Sequence, residues 1–159
     1  MISENCRIVP LFDPKNWTAG GTGTIIDISS ARKVTIVFLT DTMAAVQQVL
    51  VRVGVAKNDV TTNLFAVGES VHIKRTNANI AAAGCDLLSN DVTLEASEQY
   101  WQLLATDHRM YVQEINGARL AGYRYMVASL PAATANNFVA GIAIIETRYS
   151  PAQSMAVVA

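Results

Sequence analysis

Charge is scarce in this chain. Asp, Glu, Lys and Arg make up 16% of the 159 residues, where an ordinary soluble domain carries about 25%. The net charge of −1 leaves no basic footprint, and so none of the electrostatic attraction on which nucleic-acid binding rests. Long hydrophobic runs are missing too: none approaches the ~20 residues of a membrane-crossing helix. The first residues, Met1-Ile-Ser-Glu-Asn-Cys6-Arg7, do not follow the charged-then-apolar order of an export signal, which predicts synthesis in the cytoplasm. Neither nucleic acid nor a membrane is expected as a partner.

Reactive residue types are equally rare. Cys6 and Cys85 are the two cysteines, far apart and with no histidine close by in sequence, so the pattern is neither a zinc knuckle nor a redox pair. In a reducing compartment both are expected to pack as small hydrophobic thiols. His72 and His108 are the two histidines, whereas a metal-dependent β-sandwich enzyme needs a closely spaced His pair, a carboxylate and a further His. No metal site is predicted. No Gly-x-Ser-x-Gly nucleophile elbow occurs. The Gly20-Gly21-Thr22-Gly23 cluster lacks the Gly-Lys-Ser/Thr ending of a phosphate loop and does not lead from a strand into a helix. Glu95 and Glu98 read as solvated surface acids, since any two carboxylates can be written as a glycosidase pair. The sequence assigns no catalytic residue and no cofactor. An enzyme would come back into view if Asp41, Asp59, His72, Asp107 or His108 gathered around a common pocket.

Hydrophobic residues, in contrast, make up 51% of the chain, and they are arranged as strands. Gln48-Val-Leu-Val-Arg-Val-Gly-Val55 alternates strictly, with Val49, Val51, Val53 and Val55 pointing one way, which is β and not helical spacing. Lys33-Val-Thr-Ile-Val-Phe-Leu39 places Val34, Ile36 and Phe38 on one face, and Thr40-Asp41-Thr42 is expected to end it. Further strands are predicted at 24–28, at Ser70–Lys74 with Val71 and Ile73 inward, at 91–95, and at 98–104. Arg109–Ile115 reads as a strand closed by the Asn116-Gly117 turn, and Tyr123–Leu130 as one stopped by Pro131. The last, Phe138 to Tyr149, is apolar or Gly through Ile145, reads as buried on both faces, and is closed by Ser150-Pro151. Residues 76–90 are open between helix and loop.

About eight short strands with little helix predict an all-β fold: one antiparallel β-sandwich domain of jelly-roll type. The sandwich is expected to span residues 24–151, preceded by an irregular arm at 1–23 and followed by an apolar tail at 152–159. A chain of this length buries roughly 70% of its unfolded surface. So few charges on a domain of this size suggest that part of its surface is hidden against a partner or another copy. The aromatics Trp17, Tyr100, Trp101, Tyr111, Tyr123, Tyr125 and Tyr149 offer an alternative use of the surface, a sugar-stacking platform of a carbohydrate-binding module.

The order of segments resembles the small jelly-roll decoration, or cement, proteins of tailed-bacteriophage heads. The matching pieces are Thr18-Ala-Gly-Gly-Thr-Gly-Thr-Ile-Ile-Asp-Ile28, Ala31-Arg-Lys-Val-Thr-Ile-Val-Phe38, Val49–Val55, Tyr123-Arg-Tyr-Met-Val127 and Ile142-Ala-Ile-Ile-Glu-Thr-Arg-Tyr-Ser-Pro151. Together they span roughly residues 18–151. The resemblance implies a non-enzymatic virion protein on the capsid surface, bound to the major capsid protein at capsomer junctions and to itself as a dimer or trimer. Its contacts would come from the two apolar flanks: Ile2, Ile8, Val9, Leu11, Phe12 and Trp17 before the sandwich, and Met155, Val157 and Val158 after it. A tail, neck or head-completion protein would carry the same strand pattern.

Overall fold

The computed structural model describes residues 6–67, 69–71, 73–76, 92–93, 99–105 and 108–147. Within them lie thirteen strand segments: β1 (Cys6–Asn16), β2 (Gly21–Thr22), β3 (Ile26–Asp27), β4 (Ala31–Met43), β5 (Gln47–Gly54), β6 (Thr62–Asn63), β7 (Ser70–Val71), β8 (Ile73–Arg75), β9 (Val92–Thr93), β10 (Trp101–Leu103), β11 (Arg109–Asn116), β12 (Tyr125–Leu130) and β13 (Asn137–Thr147). Eleven of them build two antiparallel sheets. One has the order β1-β13-β4-β11-β8; the other runs β10-β5-β12-β2, with β3 also on β12 and β6 on β5, while β7 and β9 form a separate ribbon.

The two sheets hold eleven strands rather than the expected eight, and the predicted jelly roll is present in their order. Counting β2 and β3 as two pieces of one strand position, and setting aside β6 and β8, eight positions remain. Numbered along the chain, they lie 1-8-3-6 in one sheet and 2-7-4-5 in the other, the arrangement of two interlocked Greek keys. The extra segments all fall between β5 and β10.

The core lies between the sheets. Val34, Ile36 and Phe38 of β4 and Val49, Val51 and Val53 of β5 are buried as the alternation predicts, with Val71 and Ile73 joining them. Val55 does not follow its neighbours: β5 ends at Gly54, and Val55 stands in the solvent beyond it. A line of aromatic rings runs through the core. Phe12 meets Trp17 edge-on at 5.0 Å and Phe38 at 5.7 Å, Phe38 meets Trp101 at 5.6 Å, and Trp101 meets Tyr111 at 6.0 Å. Gly141 makes room for it, because a Cβ there would sit 3.0 Å from the Phe12 ring and 3.1 Å from the Phe38 ring.

Three expectations need correction. Within the expected arm, residues 6–16 are not irregular: they form the edge strand β1, paired along β13 from Cys6↔Glu146 to Asn16↔Phe138. Pro10 and Pro14, together with register shifts between Pro10 and Phe12 and between Phe12 and Lys15, hide its period in the sequence. Thr40-Asp41-Thr42 does not end the second strand, and β4 continues to Met43. Thr40 tolerates burial because its hydroxyl donates to the Arg109 carbonyl at 3.2 Å and accepts from the Arg109 N–H at 3.1 Å. Finally, β13 is not buried on both faces. Val139, Gly141, Ala143 and Ile145 face inward, while Phe138 and Ile142 are exposed.

A buried amide pair ties the connections between sheets together. Asn137, at the start of β13, donates to the Gln47 carboxamide oxygen at 3.2 Å and accepts from the Ala45 N–H at 3.1 Å. Gln47 in turn donates to the Pro131 carbonyl. The turn after β11 forms as Asn116-Gly117 predicts, with the Asn116 side chain accepting from the Ala118 N–H at 3.0 Å. The strand predicted at 98–104 is present as β10. Residues 77–91 and the tail at 152–159 lie outside the described residues, as do His72, Cys85, Glu95 and Glu98.

Candidate assembly surface

The five-stranded sheet turns an apolar face to the outside. In antiparallel pairing, residues directly opposite each other share a face, so the registers fix which side chains meet. Ile8 lies opposite Ile144, and Pro10 opposite Ile142. Across β13, Ile142 pairs with Val37 and Ala140 with Leu39. Across β4, Val37 pairs with Val112 and Leu39 with Met110. These side chains, with Phe138, form one continuous apolar band across β1, β13, β4 and β11. Leu39 is 46% exposed, Ile8 44%, Phe138 42% and Ile142 38%.

Four strands at about 4.8 Å and six residues at about 3.4 Å give the band roughly 400 Å². Isolated exposed hydrophobics are ordinary, but a contiguous patch of this size is in the range of functional surfaces. At one end the band stops at an ion triad in which Lys33 bridges Glu114 at 3.0 Å and Glu146 at 3.1 Å. The Lys33 ammonium is held above its ordinary pKa by the hydrogen bond to Glu114 and then by that to Glu146. At the other end a groove of about 430 Å³ opens, its apolar wall formed by Leu39, Phe138 and Ala140 and its polar wall by Lys15, Asp41 and His108.

The residues singled out by sequence divide sharply. Leu11, Phe12 and Trp17 are buried in the chain's own core, and Val9 packs partly against it. The register shift between Pro10 and Phe12 lets Leu11 and Phe12 both turn inward. Ile8 alone of the described candidates stands on the exposed band. Met155, Val157 and Val158 lie outside the described residues. The band's other members, above all Leu39, Phe138 and Ile142, were not singled out. A signal for them exists in the last strand, where the bulky Phe138, Ile142 and Ile144 share one parity and the smaller Val139, Gly141 and Ala143 share the other.

Of the groups whose gathering would point to an enzyme, two meet. His108 Nδ1 lies 2.9 Å from an Asp41 carboxylate oxygen in the groove. The neighbouring hydroxyl, Thr40, is already engaged with the Arg109 backbone. Asp59 is elsewhere, accepting from the Thr61 hydroxyl at 2.8 Å, and His72 and Asp107 lie outside the described residues. No group of three His, Cys, Asp or Glu side chains with metal-binding geometry occurs among the described residues. Among them, no helix is long and apolar enough to cross a membrane. Among the described residues the aromatic platform does not form: Trp17, Trp101 and Tyr111 are buried, and Tyr123 packs partly against the core.

No family model and no curated protein matches the chain. Among solved structures it is similar to the SPBc2 prophage-derived protein YomS, at 11% identity and a TM-score of 0.43 over 87% of this chain and 94% of that one. It is also similar to the protein of infectious bursal virus derived T=1 particles, at 12% identity and a TM-score of 0.28. The VP2 subviral particle of infectious bursal disease virus gives 10% identity and a TM-score of 0.26. Nearly the whole chain, 96%, aligns with 42% and 43% of those two capsid chains.

Proposed function

We propose that this protein is a non-enzymatic structural component of a virus particle. In this reading it docks on the outside of an icosahedral phage head, at junctions between capsomers, and stabilises the shell. The observation that carries the proposal is the apolar outer face of the five-stranded sheet. None of the described residues covers this band, so it is suited to being covered by a partner.

The size of the band suits a repeated lattice. At roughly 400 Å² it is about half of what each partner buries in a standard stable complex, ~800 Å². One such contact is weak alone, whereas many copies held on an ordered shell act together. Self-association as a dimer or trimer at the local axes of the shell would enlarge each contact. The partner is then the major capsid protein, and the protein resides on the virion after synthesis in the host cytoplasm.

Quantitative mass spectrometry of purified particles tests this reading by comparing the copy number of this chain with that of the major capsid protein. A near-stoichiometric ratio is the expected result. A handful of copies would move the role to the tail or neck, and absence from the particle would remove the proposal.

A further inference from the structure

The turn that closes β11 holds a chemically reactive pair. Asn116-Gly117 is the one Asn-Gly step in the chain. An asparagine side chain can be attacked by the backbone nitrogen of the next residue, and Gly, which has no Cβ, hinders that attack least. In this deamidation the Gly117 nitrogen gives up its proton and attacks the Asn116 side-chain carbonyl carbon. A new C–N bond closes a five-membered succinimide, and the side-chain amide leaves as ammonia, carrying that proton. Water then opens the ring at either carbonyl. One opening leaves aspartate; the other leaves isoaspartate, with an extra methylene in the backbone.

The fold explains why these two residues stand together. A Cβ on residue 117 would lie 2.4 Å from the Arg32 carbonyl oxygen, a backbone atom that cannot step aside, so the position admits Gly alone. Asn116 caps the turn that follows: its side-chain oxygen accepts from the Ala118 N–H at 3.0 Å, and its backbone carbonyl from the Arg119 N–H at 3.0 Å. The same packing disarms the pair. Gly117 is buried although Asn116 is exposed, and the Gly117 N–H donates to the Arg32 carbonyl at 2.8 Å. A proton held in a buried hydrogen bond is withheld from base, and the nitrogen that carries it stays a poor nucleophile. We propose that Asn116 is a latent deamidation site, closed in the folded chain by the Gly117–Arg32 hydrogen bond and reactive when the turn opens. Register gives the change a consequence. Asn116 lies opposite Lys33, which already holds Glu114 and Glu146, so either product sets a third carboxylate across from that cation.

The test keeps the full chain in mildly alkaline buffer, once folded and once unfolded in guanidinium chloride. Mass spectrometry of the peptide containing residue 116 follows conversion of the amide to the acid. Conversion is expected to be at least tenfold slower in the folded chain than in the unfolded one. Deuterium exchange at the Gly117 amide should be slowed at least tenfold in the folded chain as well, because both reactions wait for the same opening. Equal conversion in the two states would overturn the proposal, and so would an Asn116 that survives intact in the unfolded chain. Slow conversion beside a freely exchanging Gly117 amide would also overturn it, since the bond to Arg32 would then not be the brake.

Discussion

The two sheets of this sandwich are alike on the inside and unlike on the outside. Inward, both present tightly packed apolar side chains, with Phe38 and Ile36 on one and Trp101, Val51 and Met126 on the other. Outward, the five-stranded sheet shows Ile8, Leu39, Phe138 and Ile142. The outer side of the other sheet carries Gln48, Arg52 and Gln102, with Arg52 reaching Asn63 at 3.4 Å and Asn63 bonded to Gln99. Leu50 and Tyr125 on that side are half-buried and Val127 is buried. Among the described residues, then, one outer face carries a polar network beside its half-buried side chains, and the other an uncovered apolar band.

The largest expected effect falls on what the sheets share. Trp101→Ala removes the centre of the aromatic line and should cost about 3–5 kcal/mol in urea denaturation, with both sheets lost in one transition. Gly141→Ala presses a methyl against the Phe12 and Phe38 rings and should cost about 1–3 kcal/mol. Next come paired changes on the two outer faces. Leu39→Glu with Ile142→Glu on one, and Gln48→Glu with Gln102→Glu on the other, should each alter stability by no more than about 0.5 kcal/mol per site. They should differ completely in particle association, which only the first pair removes.

The smallest effect separates the sheets by pH. Burial by itself raises the Asp27 pKa, but hydrogen bonds from the Ser29 hydroxyl and N–H, and from Arg124, outweigh it and hold the group below its ordinary value of 3.8. Its contribution is present above that value and lost as pH falls through the folded pKa. Lys33, raised above 10.5 by Glu114 and Glu146, contributes fully below that value and loses its contribution as pH rises through the folded pKa. Asp27→Asn should therefore flatten the acid side of a stability-against-pH curve, and Lys33→Met the alkaline side. A change on the opposite side in either variant would show that the pairing is misassigned.

Much of the architecture was legible in the sequence because alternation is a direct imprint of a half-buried strand. Val49, Val51 and Val53 disclose β5, and Val34, Ile36 and Phe38 disclose β4. The edge strand β1 was hidden by its two prolines and by register shifts that turn consecutive residues Leu11 and Phe12 inward. The site was less legible, and for an instructive reason. A run that is apolar at both parities, such as Phe138–Ile145, has the same pattern whether its second face meets another part of the chain or another molecule. Sequence reports that both faces avoid water. Only the fold shows that nothing among the described residues covers Phe138, Ile142 and Leu39.

The most direct test of the account is particle incorporation of the Leu39→Glu/Ile142→Glu variant against the wild-type chain. Both would be supplied in equal amounts during assembly and counted by quantitative mass spectrometry of purified particles. The account predicts abundant wild-type protein and a variant that folds normally yet is missing from the particle. Equal incorporation of the two would contradict it, because the apolar face would then not be the surface through which this protein is held.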